Sequence, residues 1–182
     1  DPWVFDIEKA TRPIEFIETF CRHSKGKWIG QPMRLELFQK AKIQAVYGFV
    51  HKETGLRRCR EVFTLVGRKN GKSTLMSALG LYMMVGDGEG GSEVQCVATK
   101  RDQARIVFTE AVNMVTQSPA LSKHLRKRKT DLYFPVTFSK FEPLASLDGL
   151  NSHHVIMDEL HAIKDRNLYD VMKQSMTARE QP

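Results

Sequence analysis

The sequence predicts an α/β domain with a mainly parallel central sheet flanked by helices, and three observations predict it. An apolar run, Val62 to Val66, ends in a glycine-bracketed basic loop, Gly67-Arg-Lys-Asn-Gly-Lys-Ser73, which opens directly into a helical apolar pattern. Far downstream, Val155-Ile156-Met157 reads as a short buried strand that ends in two adjacent carboxylates, Asp158 and Glu159. Between and around these, strand-length apolar runs alternate with helical periodicities. A parallel sheet with helices on both faces is the economical way to bury such a series.

Taken in order, Thr11 is placed to cap a first helix, with Pro13 in its first turn and Ile14, Ile17 and Cys21 on one face. Gly26 and Gly30 break it. A second helical pattern runs from Leu35 to about Tyr47, with Gln39 near its start, and His51 to Gly55 reads as a polar turn. Glu61 to Val66 reads as a strand, and Ser73 to Val85 as the helix after the loop, apolar nearly all round and therefore buried. Gly86 to Ser92 is glycine-rich but lacks the lysine and helix of a second phosphate site, so it reads as a connector. Glu93 to Ala98 is the next strand. Asp102 to Thr116 is an amphipathic helix, its Ala104, Val107, Phe108, Ala111, Val112 and Val115 facing the core. Leu132 to Phe138 alternates like a strand, and Pro135 assigns it to a sheet edge. Leu144 to Leu147 reads as a short strand, followed by the Asp158 strand and a helix from about Asn167 to Met176.

The chain has 182 residues, enough for one domain with a real core. A hydrophobic fraction of 41% and a charged fraction of 27% are those of a globular protein, and no apolar run approaches the ~20 residues that cross a bilayer. The chain opens at Asp1 with no signal peptide in view, as expected of a fragment. Cys21, Cys59 and Cys96 are isolated and odd in number, which fits a reduced, intracellular protein. Net charge is +7, which favours an anionic partner such as nucleic acid. The densest basic run is Lys123, Arg126, Lys127, Arg128 and Lys129; Arg57, Arg58 and Arg60 form a second group. Each is either a nucleic-acid contact or a solvated face.

The loop is built to hold an anion. Gly71 permits close backbone approach, while the loop amides and the helix N-terminus face the ligand. Lys72 would reach the β- and γ-phosphates of a nucleotide, and Ser73 would put its hydroxyl on Mg²⁺. The usual loop carries glycine where Val66 stands here, and Gly67 sits one place later. Asp158 and Glu159 lie where open α/β sheets place ligand-binding groups, at the C-terminal end of a strand. Two such carboxylates are costly there unless they bind something. Asp158 is placed to hold the Mg²⁺ shell and Glu159 to polarise an attacking water. The histidines His153, His154 and His161 fit no standard zinc spacing.

Together these residues resemble the ATPase domain of a tailed-bacteriophage terminase large subunit, the motor that packages viral DNA. Leu35-Glu-Leu-Phe-Gln39 is similar to the family's adenine-side segment, in which a glutamine reads the base. Gly67 to Ser73 resembles its deviant phosphate loop, which often lacks the first glycine, so Val66 becomes a point of likeness. Ala98-Thr-Lys-Arg-Asp-Gln-Ala104 resembles the segment after the second core strand. Asp148-Gly-Leu-Asn151 leading into Asp158-Glu-Leu-His161 resembles the magnesium and catalytic-glutamate motif. Thr177-Ala-Arg179 with Gln181-Pro182 resembles the lead-in to the coupling motif.

The resemblance implies a P-loop NTPase fold of the additional-strand, catalytic-glutamate (ASCE) type, using ATP and Mg²⁺. Residues 1–60 would form an N-terminal helical, adenine-side segment and 61–182 the ATPase core, ending before the coupling motif and a metal-dependent nuclease domain. It implies a phosphate cradle of Gly67, Arg68, Lys69, Asn70, Gly71, Lys72, Ser73 and Thr74, with Gln39 at the adenine. Ser73 and Asp158 would hold Mg²⁺, Asp158 through water, and Glu159 would orient the nucleophilic water. Arg68 would sense or stabilise the γ-phosphate in cis, and Arg101, Arg105 and Arg126 are candidates for an arginine supplied in trans. His161 would be a coupling residue. The implied partners are double-stranded DNA, a portal protein, a small terminase subunit and further copies in a ring on the procapsid, in the host cytoplasm and without a membrane. A helicase-like translocase of the same ATPase class, and a non-hydrolysing nucleotide- or DNA-binding domain, are the alternatives.

Overall fold

Asp6, not Thr11, caps the first helix. Its carboxylate accepts from the Lys9 amide at 3.0 Å, and helix α1 runs Ile7–Phe20. Thr11 therefore falls inside α1 and turns its hydroxyl back onto the Ile7 carbonyl, while Pro13 lies within the helix rather than in its first turn. An earlier acidic cap displaces the predicted one because a carboxylate is the better partner for free first-turn amides. The structure, a computed structural model, describes residues 1–67, 69–98, 101–144, 150–160 and 166–182.

Helix α2, Leu37–Gly48, packs against α1. Strands β1, Trp3–Phe5, and β2, Phe49–His51, flank this helix pair and join as a small antiparallel ribbon. Beyond the turn at residues 52–55, the expected strand from Glu61 to Val66 does not form: the segment has no regular structure, and Val62, Phe63 and Leu65 are exposed. It has strand propensity, but a strand exists only by pairing, and no described strand pairs with it.

Helix α3, Lys72–Val85, follows the loop as expected. A mixed five-stranded sheet holds β3, Glu93–Val97; β4, Arg126–Lys127; β5, Leu132–Phe134; β6, Ser139–Pro143; and β7, His154–Met157. Its order is β4-β5-β6-β3-β7. The β6-β3-β7 part is parallel, and β5 is antiparallel to both neighbours. Pro135 does not sit in an edge strand: residues 135–138 are the turn between β5 and β6, and the basic run supplies the edge strand β4. Of the expected strand from Leu144 to Leu147, Leu144 follows β6 and the rest lies outside the described residues.

Helix α4, Arg101–Gln117, packs with α3 against the sheet. Ser118 caps the short α5, Pro119–His124, and α6 spans Arg166–Ser175. The core lies between α3, α4 and the sheet, with Leu81, Met84, Val107, Met114, Val94 and Phe141 fully or almost fully buried. Gly80 lets α3 lie close: a β-carbon there would come within 2.7 Å of the Phe141 ring and 3.1 Å of the Ile156 side chain. By strand alternation Glu93 points to the other face of the sheet, where Lys140 bridges it to Glu142.

Candidate active site

The phosphate loop turns through two left-handed residues, Lys69 at φ +66° and Gly71 at φ +68°. Glycine takes that conformation freely, whereas lysine pays for it with strain of about 1 kcal/mol or more. The Asn70 amide steadies the turn by donating to the Gly67 carbonyl at 3.1 Å. Helix α3 begins at Lys72 with Gly71 as N-cap, a residue with no side chain to cap it. Its first-turn amides are thus turned toward whatever anion the loop takes. Ser73 and Thr74 stand half-buried in that first turn.

Strand β7 delivers the acids. The Asp158 amide continues the ladder with a bond to the Val97 carbonyl at 3.3 Å. Asp158 Oδ1 accepts from the Glu159 amide at 3.0 Å, and Glu159 itself is left-handed, at φ +53°. Lys72 Nζ reaches across from α3 to both, 2.8 Å from Asp158 Oδ1 and 2.7 Å from Glu159 Oε1. The hydrogen bond to Asp158, and then that to Glu159, raise the lysine above its ordinary pKa. The lysine and the two acids predicted to form the site are therefore together. Ser73 and Asp158 offer hard oxygen donors, which suit an ion that keeps water and phosphate oxygens in its shell, as Mg²⁺ does.

Gln39 is buried, and its Oε1 accepts from the Glu36 amide at 2.9 Å, locking the start of α2. Its Nε2 lies 3.9 Å from where a β-carbon on Gly71 would sit, so the side chain rests against the phosphate loop. Arg68, Asp148 and His161 lie outside the described residues. Arg105 on α4 and Arg126 on β4 are exposed.

Three sets of contacts were not legible. Arg57, grouped in the sequence with Arg58 and Arg60 as a surface charge or nucleic-acid contact, is turned inward and paired with Asp87. His153 is fully buried and bonds the other Asp87 oxygen through Nε2 at 2.9 Å. Burial raises the Asp87 pKa, but the His153 hydrogen bond and the Arg57 charge together hold it below the ordinary value. The glycine-rich connector is also an anchor: Arg179 donates to the carbonyls of Gly90 at 3.2 Å and Gly91 at 2.7 Å. Glu61, in the unpaired segment, accepts from Tyr169 at 2.8 Å and pairs with Lys173 at 2.6 Å, both on α6. For Asp87 the sequence signal is an acid inside a glycine-rich stretch; Arg57 and Glu61 carry none, because they sit in a charged run.

Residues 37–182 match the family model described as terminase large subunit, ATPase domain. Among curated proteins, the large terminase subunit of Enterobacteria phage HK97 is 40% identical over 118 residues, covering 64% of this chain and 22% of that protein. The terminase large subunit of Lactococcus phage p2 is 28% identical over 173 residues, covering 87% of this chain and 31% of that protein. The chain thus spans less than a third of the length of these relatives. Among solved structures, the HK97 large terminase superposes with a TM-score of 0.81 at 30% identity, over 96% of this chain and 36% of that one. The large terminase ATPase domain of Thermus phage P74-26 shares the fold, with a TM-score of 0.61 at 19% identity over 81% of this chain and 62% of that one.

Proposed function

Because this chain belongs to the terminase large subunit ATPase domain family, we propose that it is the ATP-hydrolysing part of a motor that drives double-stranded DNA into a viral procapsid. The observation that carries this reading is Lys72 of the loop held against Asp158 and Glu159. One cation for the phosphates and two acids, one for a metal and one for water, is the minimal set for phosphoryl transfer to water.

The chemistry is mostly positioning and charge stabilisation. Lys72 exchanges its carboxylate partners for β- and γ-phosphate oxygens, and the amides of Asn70 to Thr74 hold the rest of the phosphate chain. That exchange parts Glu159 from Lys72, and Glu159 orients the attacking water. Ser73 and Asp158 would hold Mg²⁺, which would supply charge neutralisation at the phosphates. Gly67 and Lys69 shape the loop, Arg68 stabilises the γ-phosphate in cis, and Gln39 reads the adenine from beside Gly71. Residues 1–60 serve as the adenine-side segment and 61–182 as the catalytic core, which a coupling motif and a nuclease domain would follow.

DNA is gripped through charge. β4 runs in the same direction as β3 and β7, and its register sets Lys127 level with His154, so the basic edge lies toward the start of β7 rather than beside Asp158. The basic edge stands four strand spacings from β7, about 19 Å away. Arg126, Lys127 and Lys129 are exposed there, whereas Arg128 is tied to Asp131 and stacked on Tyr133. The portal protein, the small terminase subunit and neighbouring copies in a ring are the expected partners, in the host cytoplasm and on the procapsid. Among the described residues no helix is long and apolar enough to cross a membrane. The test is ATP turnover by the complete large subunit, with and without DNA and procapsids. Turnover that needs Glu159 supports the reading, and a folded protein that never hydrolyses ATP removes it.

A further inference from the structure

Helix α3 and strand β7 lie side by side as two rails, touching at three levels. At one end Lys72 meets Asp158 and Glu159. Two helical turns on, Gly80 lies flat against Phe141 and Ile156. Two turns further, just past the helix, Asp87 takes the hydrogen bond from His153, just before the strand. The far contact is thus about 22 Å along the helix from Lys72 and about 17 Å along the strand from Asp158.

We propose that Asp87 and His153 are positioning residues, which pin the far ends of α3 and β7 and so set how Lys72 meets Asp158 and Glu159.

The Gly80 contact by itself does not do this. Apolar contact is non-directional, and glycine at position 80 leaves no β-carbon to interlock with Phe141 and Ile156. Ser77 ties α3 to the Val107 carbonyl of α4, and Ser92 ties the Met83 carbonyl to the start of β3, but neither hydrogen bond reaches β7. The pair at the far end is directional and enclosed: His153 is fully buried, Asp87 is 5% exposed, and Arg57 is 10% exposed. Arg57 also stacks on Tyr47 and donates to the Gln181 carbonyl at 3.2 Å, so the carboxylate it holds is tied to groups outside α3. Burying such a group adds little net stability, because desolvation offsets the attraction. What it supplies is a fixed axial register.

Register matters because catalysis by alignment is steep: a 1 Å misplacement costs on the order of a hundredfold in rate. The inference rests on the ATPase reading for its purpose, but its geometry can be read without turnover. A carbodiimide, which joins an amine and a carboxylate only when they touch, will link Lys72 to Glu159 or Asp158 in nucleotide-free protein. Peptide mass spectrometry then measures the yield, below the unfolding temperature of every variant. His153→Ala should lower that yield several-fold, and His153→Gln, whose amide reaches toward the Nε2 position, should restore it. Turnover in the complete subunit should follow the same order, falling roughly tenfold in His153→Ala. Should His153→Ala not fold, Asp87→Asn keeps the side-chain volume and faces the same two outcomes. A folded variant that links Lys72 as well as wild type does overturns the proposal, as does a yield that His153→Gln fails to restore. Absence of ATP turnover in wild type would remove the functional reading and leave the cross-linking result to stand or fall alone.

Discussion

Lys72 Nζ lies 2.7 Å from Glu159 Oε1, so the cation of the phosphate loop is bonded to the acid that would orient the water. Any phosphate that binds the loop competes with Glu159, and with Asp158 at 2.8 Å, for the same ammonium group. Binding and activation would thereby be one exchange: the phosphates would gain the lysine as the glutamate gives it up.

Glu159→Gln separates the two halves of that exchange. A neutral amide competes less for Lys72, so a non-hydrolysable ATP analogue should bind at least as tightly as to wild type. Hydrolysis should fall by about a hundredfold or more, the range of a lost general base. Single-turnover and titration measurements on the complete subunit read both, and turnover within a few-fold of wild type would remove Glu159 from its role.

Gly80→Ala should loosen the seam. Its new methyl group meets the Phe141 ring at 2.7 Å and the Ile156 side chain at 3.1 Å, and both lie in a packed core. The helix gains propensity but must move outward, so we expect a net loss of about 1–2 kcal/mol in urea unfolding. A more stable variant would show that α3 and the sheet are not in close contact there.

Acid should weaken the fold in two steps. Burial, with the neighbouring His153 and Arg57 charges, pushes His154 down to about 4 from the ordinary 6.5. The unfolded chain therefore binds the proton first. The stability tied to a neutral His154 is complete above about pH 6.5 and is lost as pH falls from there through about 4. Asp87, held below its ordinary value of 3.8, keeps its contribution above that pH and loses it as pH falls through its own lower folded value. Urea midpoints between about pH 7 and pH 4 should drop in wild type and drop less in His154→Gln. Equal slopes would show that His154 titrates normally.

The basic edge should make DNA binding salt-dependent and indifferent to sequence. Neutralising Arg126, Lys127 and Lys129 together, while leaving Arg128 on Asp131, should cut the slope of log affinity against log salt by up to about 2.7, at about 0.9 per phosphate contact. An unchanged slope would make β4 a solvated edge and send the search for the DNA grip elsewhere.

Local signals carried much of the architecture. Apolar patterning located α3, α4 and α6 almost to their ends, and the apolar run before Asp158 located β7. Long-range partners did not show in the sequence. Glu61 to Val66 has the composition of a strand, but composition says nothing of whether a neighbour exists. Pro135 was placed in a strand because alternation continues through it, whereas the missing amide made it a turn. His153 and Arg57 meet only through Asp87, which sits in a glycine-rich stretch that reads as plain connector. At the site, the loop and the two acids were legible because each motif is local. That Lys72 bridges them was not, because it depends on how α3 lies on β7.

The central claim is that Lys72 is the phosphate-binding cation, and isothermal titration of a non-hydrolysable ATP analogue with Mg²⁺ into wild type and Lys72→Ala tests it most directly. Losing charge-assisted bonds to the phosphates should cost about 3 kcal/mol, so the variant should bind on the order of a hundredfold more weakly or not detectably, with its fold intact by circular dichroism. Equal affinity in a folded Lys72→Ala protein would contradict the assignment of the loop, and with it the site built around Asp158 and Glu159.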